Sequence, residues 1–367
     1  MTKEEYRAGA ENVIYLAGCM VNGEEPDAER VRGMDLSVLY KVSEFHLLTG
    51  IVGYALEAAG VDDHAFRQAN RKAIRKVALL DTERAAVLEE MEKAGIWYMP
   101  LKGCVLKEMY PQVGMRQMSD NDILFDASRA DEVRTIMEDL GYTTEHFDAG
   151  VHDIYYKQPV CNFEMHRALF GTGHEDRLQA YYENVRDRLV KDEGTNFGYH
   201  LSPEDFYIYM IVHEHKHYSG GGTGLRSLLD SYVYLRKVPL DMAYVAGEME
   251  KLGITEFEAA NRSLALRLFG GEPLTEEERE MLDYFLSSGT YGTMENSIRK
   301  QIREKGRRGY FLSRMTLPYD MMTKLYPVLG KVPLLYPFCW THRLVHGFFF
   351  NHKVVMYQLK AVLTWKK

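Results

Sequence analysis

Asp120 and Asp122 stand two residues apart in the run Arg116-Gln117-Met118-Ser119-Asp120-Asn121-Asp122-Ile123-Leu124. The apolar residues Ile123-Leu124-Phe125 predict a strand, and side chains at i and i+2 of a strand leave the same face. Two carboxylates so close repel, and each raises the other's pKa unless a cation lies between them. Mg2+ (or Mn2+) suits such a pair, because it takes oxygen ligands and keeps waters that substrate phosphates can replace. A third acid, Glu164, falls in another predicted strand, residues 160–166. If the two strands are neighbours, three carboxylates converge. Three are enough to hold two ions roughly 3.5–4 Å apart for in-line phosphoryl or nucleotidyl transfer.

Upstream, Leu101-Lys102-Gly103 ends an earlier predicted strand and opens a short helix. Glycine there lets backbone approach a phosphate, a helix N-terminus offers unbonded N–H groups to an anion, and Lys102 adds positive charge. Read on its own, Lys102 is also a candidate for a solvated cation, and Arg116 for a partner of a surface acid. His213 and His217 share a helix face, as zinc ligands do, but the run is not His-Glu-x-x-His and shows no third ligand. A zinc hydrolase is therefore the third-ranked reading, beside a structural role for His213. Gly220-Gly221-Gly222-Thr223-Gly224 lacks the Gly-Lys-Ser/Thr ending of a phosphate loop and predicts a connection between helices.

Several elements must position these residues. Residues 4–20, 35–59 and 65–94 are rich in Leu, Ala, Val and Glu and predict helices, with Gly60 and Gly95 as stops. Residues 96–101 are short, aromatic and apolar, which predicts a buried strand. A helix starting at Ser128, with Asp131 as capping-box acid, carries Val133, Ile136, Met137 and Leu140 at core-facing spacing and ends at Gly141. Residues 152–157 and 160–166 predict strands joined at Gln158-Pro159. Ser202-Pro203-Glu204-Asp205 starts another helix, and helical patterns continue to Leu286. The expected fold is α+β: a small mixed-sheet core embedded in a mainly helical protein. The expected divisions are a helical region 1–80, the α/β core 81–175, a helical domain 176–297 and a basic, Pro-containing tail 298–367.

Taken in this order, the motifs resemble the nucleotidyltransferase superfamily with the DNA polymerase β-like fold. The nearer resemblance is to its bacterial branch of uncharacterised nucleotidyltransferases. It is carried by Leu101-Lys102-Gly103, by Arg116 to Leu124, by Glu164-Met165-His166, and by His213 with the Leu-x-x-Leu-x-Asp helix at 225–230. The resemblance implies that Asp120, Asp122 and Glu164 bind metal and act in catalysis, Glu164 as ligand or as base. It implies a nucleotide site around Lys102, Gly103, Arg116, Ser119 and His213. The implied substrate is an NTP, ATP first, with the NMP passing to a hydroxyl of a small molecule or protein. A catalytically degenerate, regulatory member is the alternative. The chain departs from the wider superfamily at Gly103-Cys104, where Gly-Ser or Gly-Gly is usual, and at Asn121, where an apolar residue is usual.

Of 367 residues, 46% are hydrophobic, enough for a sizeable core, and the length fits about two domains. The net charge of −8 does not favour generic nucleic-acid binding, which needs a basic surface. The charge is unevenly spread, with −20 over residues 1–297 and +12 over 298–367. The tail also carries Trp340, Leu344, Val345, Phe348 and Phe349 at helical spacing, among Arg343, Lys353, Lys360, Lys366 and Lys367. That pattern fits a core helix, or a contact with an anionic partner or a membrane surface. Cys19, Cys104, Cys161 and Cys339 have neither zinc nor disulfide-framework spacing. With no signal-like N-terminus and no apolar run of spanning length, a reduced cytoplasmic setting is expected.

Overall fold

A computed structural model describes residues 1–148, 150–171, 176–290, 292–350 and 356. The described chain forms two compact units, Met1–Lys216 with Gly224–Leu286, and His217–Thr223 with Ser287 onward.

The larger unit opens with helices α1 (Lys3–Asn22), α2 (Ala28–Arg32), α3 (Leu36–Phe45), α4 (Thr49–Ala58) and α5 (His64–Ala94). The single helix expected over 35–59 is two, because the backbone turns at Leu47, whose φ is +54°. A five-stranded sheet follows: β1 (Tyr98–Pro100), β2 (Asn121–Phe125), β3 (Thr143–His146), β4 (His152–Lys157) and β5 (Cys161–His166). Helix α6 (Gly103–Leu106) lies between β1 and β2, and α7 (Ala130–Asp139) between β2 and β3. Ser128 does not cap α7. A 3-10 turn at Ala127–Arg129, capped by the Asp126 carboxylate, precedes the helix instead.

The strand order is β1-β2-β5-β4-β3, with β2 and β5 parallel and the other neighbours antiparallel. One face of the sheet, with Ile123, Phe125, Tyr155, Phe163 and Met165, packs on α5 and α7 through Val87, Met91, Val133 and Met137. These apolar positions alternate along β2 and β5, as a half-buried strand requires. On the other face Met99 and Leu124 join a second core. That core includes Tyr207, Ile208 and Ile211 of α9 (Pro203–Gly220) and Val245 and Met249 of α11 (Met242–Leu252). Helices α8 (Asp176–Tyr182), α10 (Leu225–Lys237), α12 (Thr255–Gly270) and α13 (Glu276–Ser288) complete the helical elements, and β6 (Val190–Lys191) pairs with β7 (Tyr199–His200). The helical protein with a mixed sheet is α+β, as expected.

The smaller unit holds α14 (Met294–Met315), kinked at Gly306, then α15 (Tyr319–Leu325), α16 (Val328–Lys331) and α17 (Tyr336–Phe350). The prolines of the tail, from Pro318 on, break it into short helices only after Met315. Trp340 anchors α17 by donating its indole N–H to Met315 O at 2.8 Å. Val345 and Phe349 are exposed. The Phe348 side chain and Lys353, Lys360, Lys366 and Lys367 lie outside the described residues. All four cysteines are free and buried. Among the described residues no helix is long and apolar enough to cross a membrane.

Candidate active site

Strand register brings the acids together. In the parallel β2–β5 pair Asp122 stands opposite Glu164 and Leu124 opposite His166, while across β4–β5 His152 stands opposite His166. Asp120 lies one residue ahead of β2, in step with Asp122. Burial, and then the charges of Asp122 and Glu164, push the Asp120 carboxyl up to about 7. Burial also raises Glu164, helped by a hydrogen bond with Asp122. Burial alone would raise Asp122 too, but the Lys102 ammonium and His166 outweigh it and hold Asp122 well below the usual carboxylate range. Lys102 Nζ donates to Asp122 Oδ1 at 2.7 Å, and His166 Nε2 lies 2.9 Å from the same oxygen. An ionised carboxylate only accepts, so His166 carries its proton on Nε2. Burial lowers the pKa of His166, consistent with a neutral ring.

Lys102 reaches Asp122 from a sharp turn. Its φ of +46° and ψ of −113° are unusual for a residue with a Cβ and cost on the order of 1–3 kcal/mol. The surroundings hold it there, since Val105 and Leu106 both donate to the Lys102 carbonyl and Cys104 donates to Leu101 O. This corrects the expectation of unbonded N–H groups at the start of α6. The helix has four residues, and those three N–H groups are already used by the turn itself.

The opposite face of β2 accounts for the two departures from the superfamily pattern. Asn121 is fully buried, donates to Leu80 O at 2.9 Å, and accepts from Arg84 Nη1 at 3.1 Å and Cys104 Sγ at 3.4 Å. It fastens β2 to α5, away from the carboxylates. Cys104 is a buried packing residue turned to that same side.

The long stretch between α6 and β2 is tied down by helices. Arg116 is buried, and its guanidinium forks onto Asp230 of α10 through Nε and Nη2, both at 2.8 Å. Tyr110 donates to the same carboxylate at 2.8 Å. Gln117 accepts from Thr49 and Gly50 at the start of α4, and its carbonyl accepts from Arg226. Lys76 of α5 donates to Ser119 O at 2.8 Å. Arg116, expected near phosphates, is thus placed in a buried ion pair beside Gly103. A Cβ on Gly103 would come 2.7 Å from Arg116 Nη1 and 2.8 Å from Met118 Sδ. A side chain there would have to push the ends of the Arg116 and Met118 side chains aside.

The structure brings Asp120, Asp122, Glu164 and Lys102 together, with Ser119 next in the chain to Asp120. His213 stands one ring away, 6.1 Å from Tyr209, a buried tyrosine whose hydroxyl feels the charges of Lys102, Asp122 and Glu164. Tyr209, Lys76 and Arg226 were not anticipated, because helix periodicity does not say which turn faces the sheet. His152 was also missed, although a signal existed. Any hairpin that pairs residue 157 with 161 sets 152 opposite 166.

Three carboxylates face one bonded ammonium, and a divalent cation would neutralise the two charges left over. Carboxylate oxygens are the donor type that a Mg2+-class ion takes. Among the described residues, the His/Cys/Asp/Glu group with donor atoms close enough to share an ion is His152, Glu164 and His166. His213 and His217, the pair considered for zinc hydrolysis, form no such group among those residues.

The sequence was compared with known families, curated proteins and solved structures. No curated protein and no solved structure matches it. One family does match, over residues 32–270, a span that takes in the Lys102 turn, both carboxylate strands and the Asp230 helix. The chain belongs to the uncharacterised nucleotidyltransferase family.

Proposed function

We propose that the protein moves an NMP from an NTP, ATP first, to a hydroxyl of a small molecule or protein, with Mg2+ (or Mn2+) as cofactor. The observation that carries this reading is the β2–β5 register, which sets Glu164 opposite Asp122 with Asp120 two residues away. Asp120, Asp122 and Glu164 would hold the divalent cation, which supplies charge neutralisation at the phosphates when bound. Lys102 keeps Asp122 ionised and stands where it can meet a phosphate oxygen. Glu164, raised above its usual range, is suited to take a proton from the attacking hydroxyl. The sheet fixes these groups in place, so positioning is their main contribution.

Asp122→Asn keeps the side-chain size and removes the charge. Mg2+-dependent transfer from labelled NTP should fall at least about a thousandfold, with the circular dichroism spectrum unchanged. A variant as active as the parent would sink the reading.

A second reading is a family member that binds nucleotide, or regulates a partner, without transfer. It is favoured by Lys102 and His166 both occupying Asp122 Oδ1, and by a buried thiol at Cys104, where the superfamily resemblance implies a serine or glycine. Calorimetry with ATP, GTP, CTP and UTP, with and without Mg2+, separates the two. Metal-dependent nucleotide binding with no labelled acceptor in a cell extract would favour the second.

A further inference from the structure

His152, Glu164 and His166 project from one face of the sheet, with donor atoms all within 4.8 Å of one another. His166 Nε2 lies 3.8 Å and His152 Nε2 4.0 Å from Glu164 Oε2, which is too long for hydrogen bonds. Two donors sharing one ion at bonds of about 2.1 Å stand about 3.0 Å apart at a right angle and about 4.2 Å apart across the ion. Both spacings fall in that interval, whereas Asp122 Oδ1, 2.9 Å from His166 Nε2, is its hydrogen-bond partner. Neither imidazole is anchored through its other nitrogen, for both Nδ1 atoms are buried without a hydrogen-bond partner. His166 is only 5% exposed. Two adjacent imidazole rings, 5.1 Å apart, facing one partly buried carboxylate are a poor arrangement for an apolar core and a serviceable one for an ion.

We propose that His152, Glu164 and His166 bind a transition-metal ion of the Zn2+ or Co2+ class, beside the oxygen-ligated cation at Asp120 and Asp122. Imidazole nitrogen suits Zn, Co and their neighbours, whereas Mg2+ takes oxygen. Glu164 is shared between the two positions, and His166 stays neutral, its proton passing from Nε2 to Nδ1 as the Nε2 lone pair meets the ion. This names a second cation at the site of the nucleotidyl-transfer reading, but it does not need transfer to occur.

The test is Co2+ titration of the full-length, metal-stripped protein, read by visible absorption. The parent should develop the d–d bands of a nitrogen-ligated, low-coordinate ion. Zn2+ should remove them and excess Mg2+ should not. His152 is partly exposed, so His152→Ala should fold, as a thermal melt would show. It should weaken Co2+ by more than the roughly 10–100-fold that even an outer-shell loss costs, while Mg2+ binding by calorimetry stays as in the parent. If His152→Ala does not fold, His152→Gln carries the same readout. Absence of the bands in the parent, or unchanged Co2+ affinity in the folded variant, would overturn the proposal. Failure of the parent to transfer nucleotide would count against the proposed function and leave the metal result standing.

Discussion

At the scale of single residues, the site depends on two neighbours with opposite needs. Lys102 occupies a left-handed conformation that its Cβ disfavours, and Gly103 lacks a Cβ where one would meet Arg116 and Met118. The two together let an ammonium reach Asp122 from a turn pressed against a buried arginine. Gly103→Ala forces Arg116 or Met118 aside. It should cost about 1–3 kcal/mol of stability in urea unfolding. It should also lower nucleotide transfer, because the Lys102 turn moves with it. A variant as stable and as active as the parent would show that the neighbours yield freely.

At the scale of elements, the Arg116–Asp230 fork joins the loop before β2 to α10. Both side chains are buried, so Arg116→Ala or Asp230→Ala leaves an uncompensated charge, and each should lose about 3–5 kcal/mol. Replacing both with apolar residues of similar volume should recover much of that loss in the same unfolding experiment. The long helices α1 and α5, together with β1, β2, β4 and β5, were legible because their apolar patterns are strong and most of their ends are marked by Gly, Pro or a cap. The carboxylates were legible because spacing along a strand fixes the face. What was not legible has a common cause. Strand β3, Thr-Thr-Glu-His, has no apolar alternation, since it is an edge strand whose identity comes from pairing with β4. The destination of Arg116 is equally hidden, as its partner lies 114 positions away. Sequence indicates that a guanidinium needs a carboxylate, and only the packing of α10 decides which one.

At the scale of the whole molecule, buried acids make stability depend on pH in an unusual direction. Asp120 beside the sheet, and Glu214 buried among Ser227, Ser231 and Asn261, are both raised to about 7, chiefly by burial. A carboxyl raised in the folded state holds its proton more tightly folded than unfolded. Its contribution is therefore fully present below about 4 and is lost as pH rises through about 7. In the metal-free protein these two carboxyls should lower the melting temperature from pH 5 to pH 8, against an opposite slope from His46, His152 and His166, whose pKa values burial lowers. Mg2+ should restore the Asp120 share, and Glu214→Gln should remove the other. In EDTA the melting-temperature difference between the parent and Glu214→Gln should shift against the parent as pH rises from 5 to 8, and a difference that stays constant would contradict the Glu214 assignment. The Arg116–Asp230 fork also bears on how the molecule is made. A ribosome adding about 5–20 residues per second reaches Asp230, 114 positions on, roughly 6–23 s after Arg116. During that interval the nascent chain already contains Asp120 and Asp122 and soon gains Glu164, yet the guanidinium that will be buried behind their turn has no partner. The strands that carry the carboxylates wait for a helix still being synthesised, so a fragment ending at His166 should remain aggregation-prone even though it carries Asp120, Asp122 and Glu164.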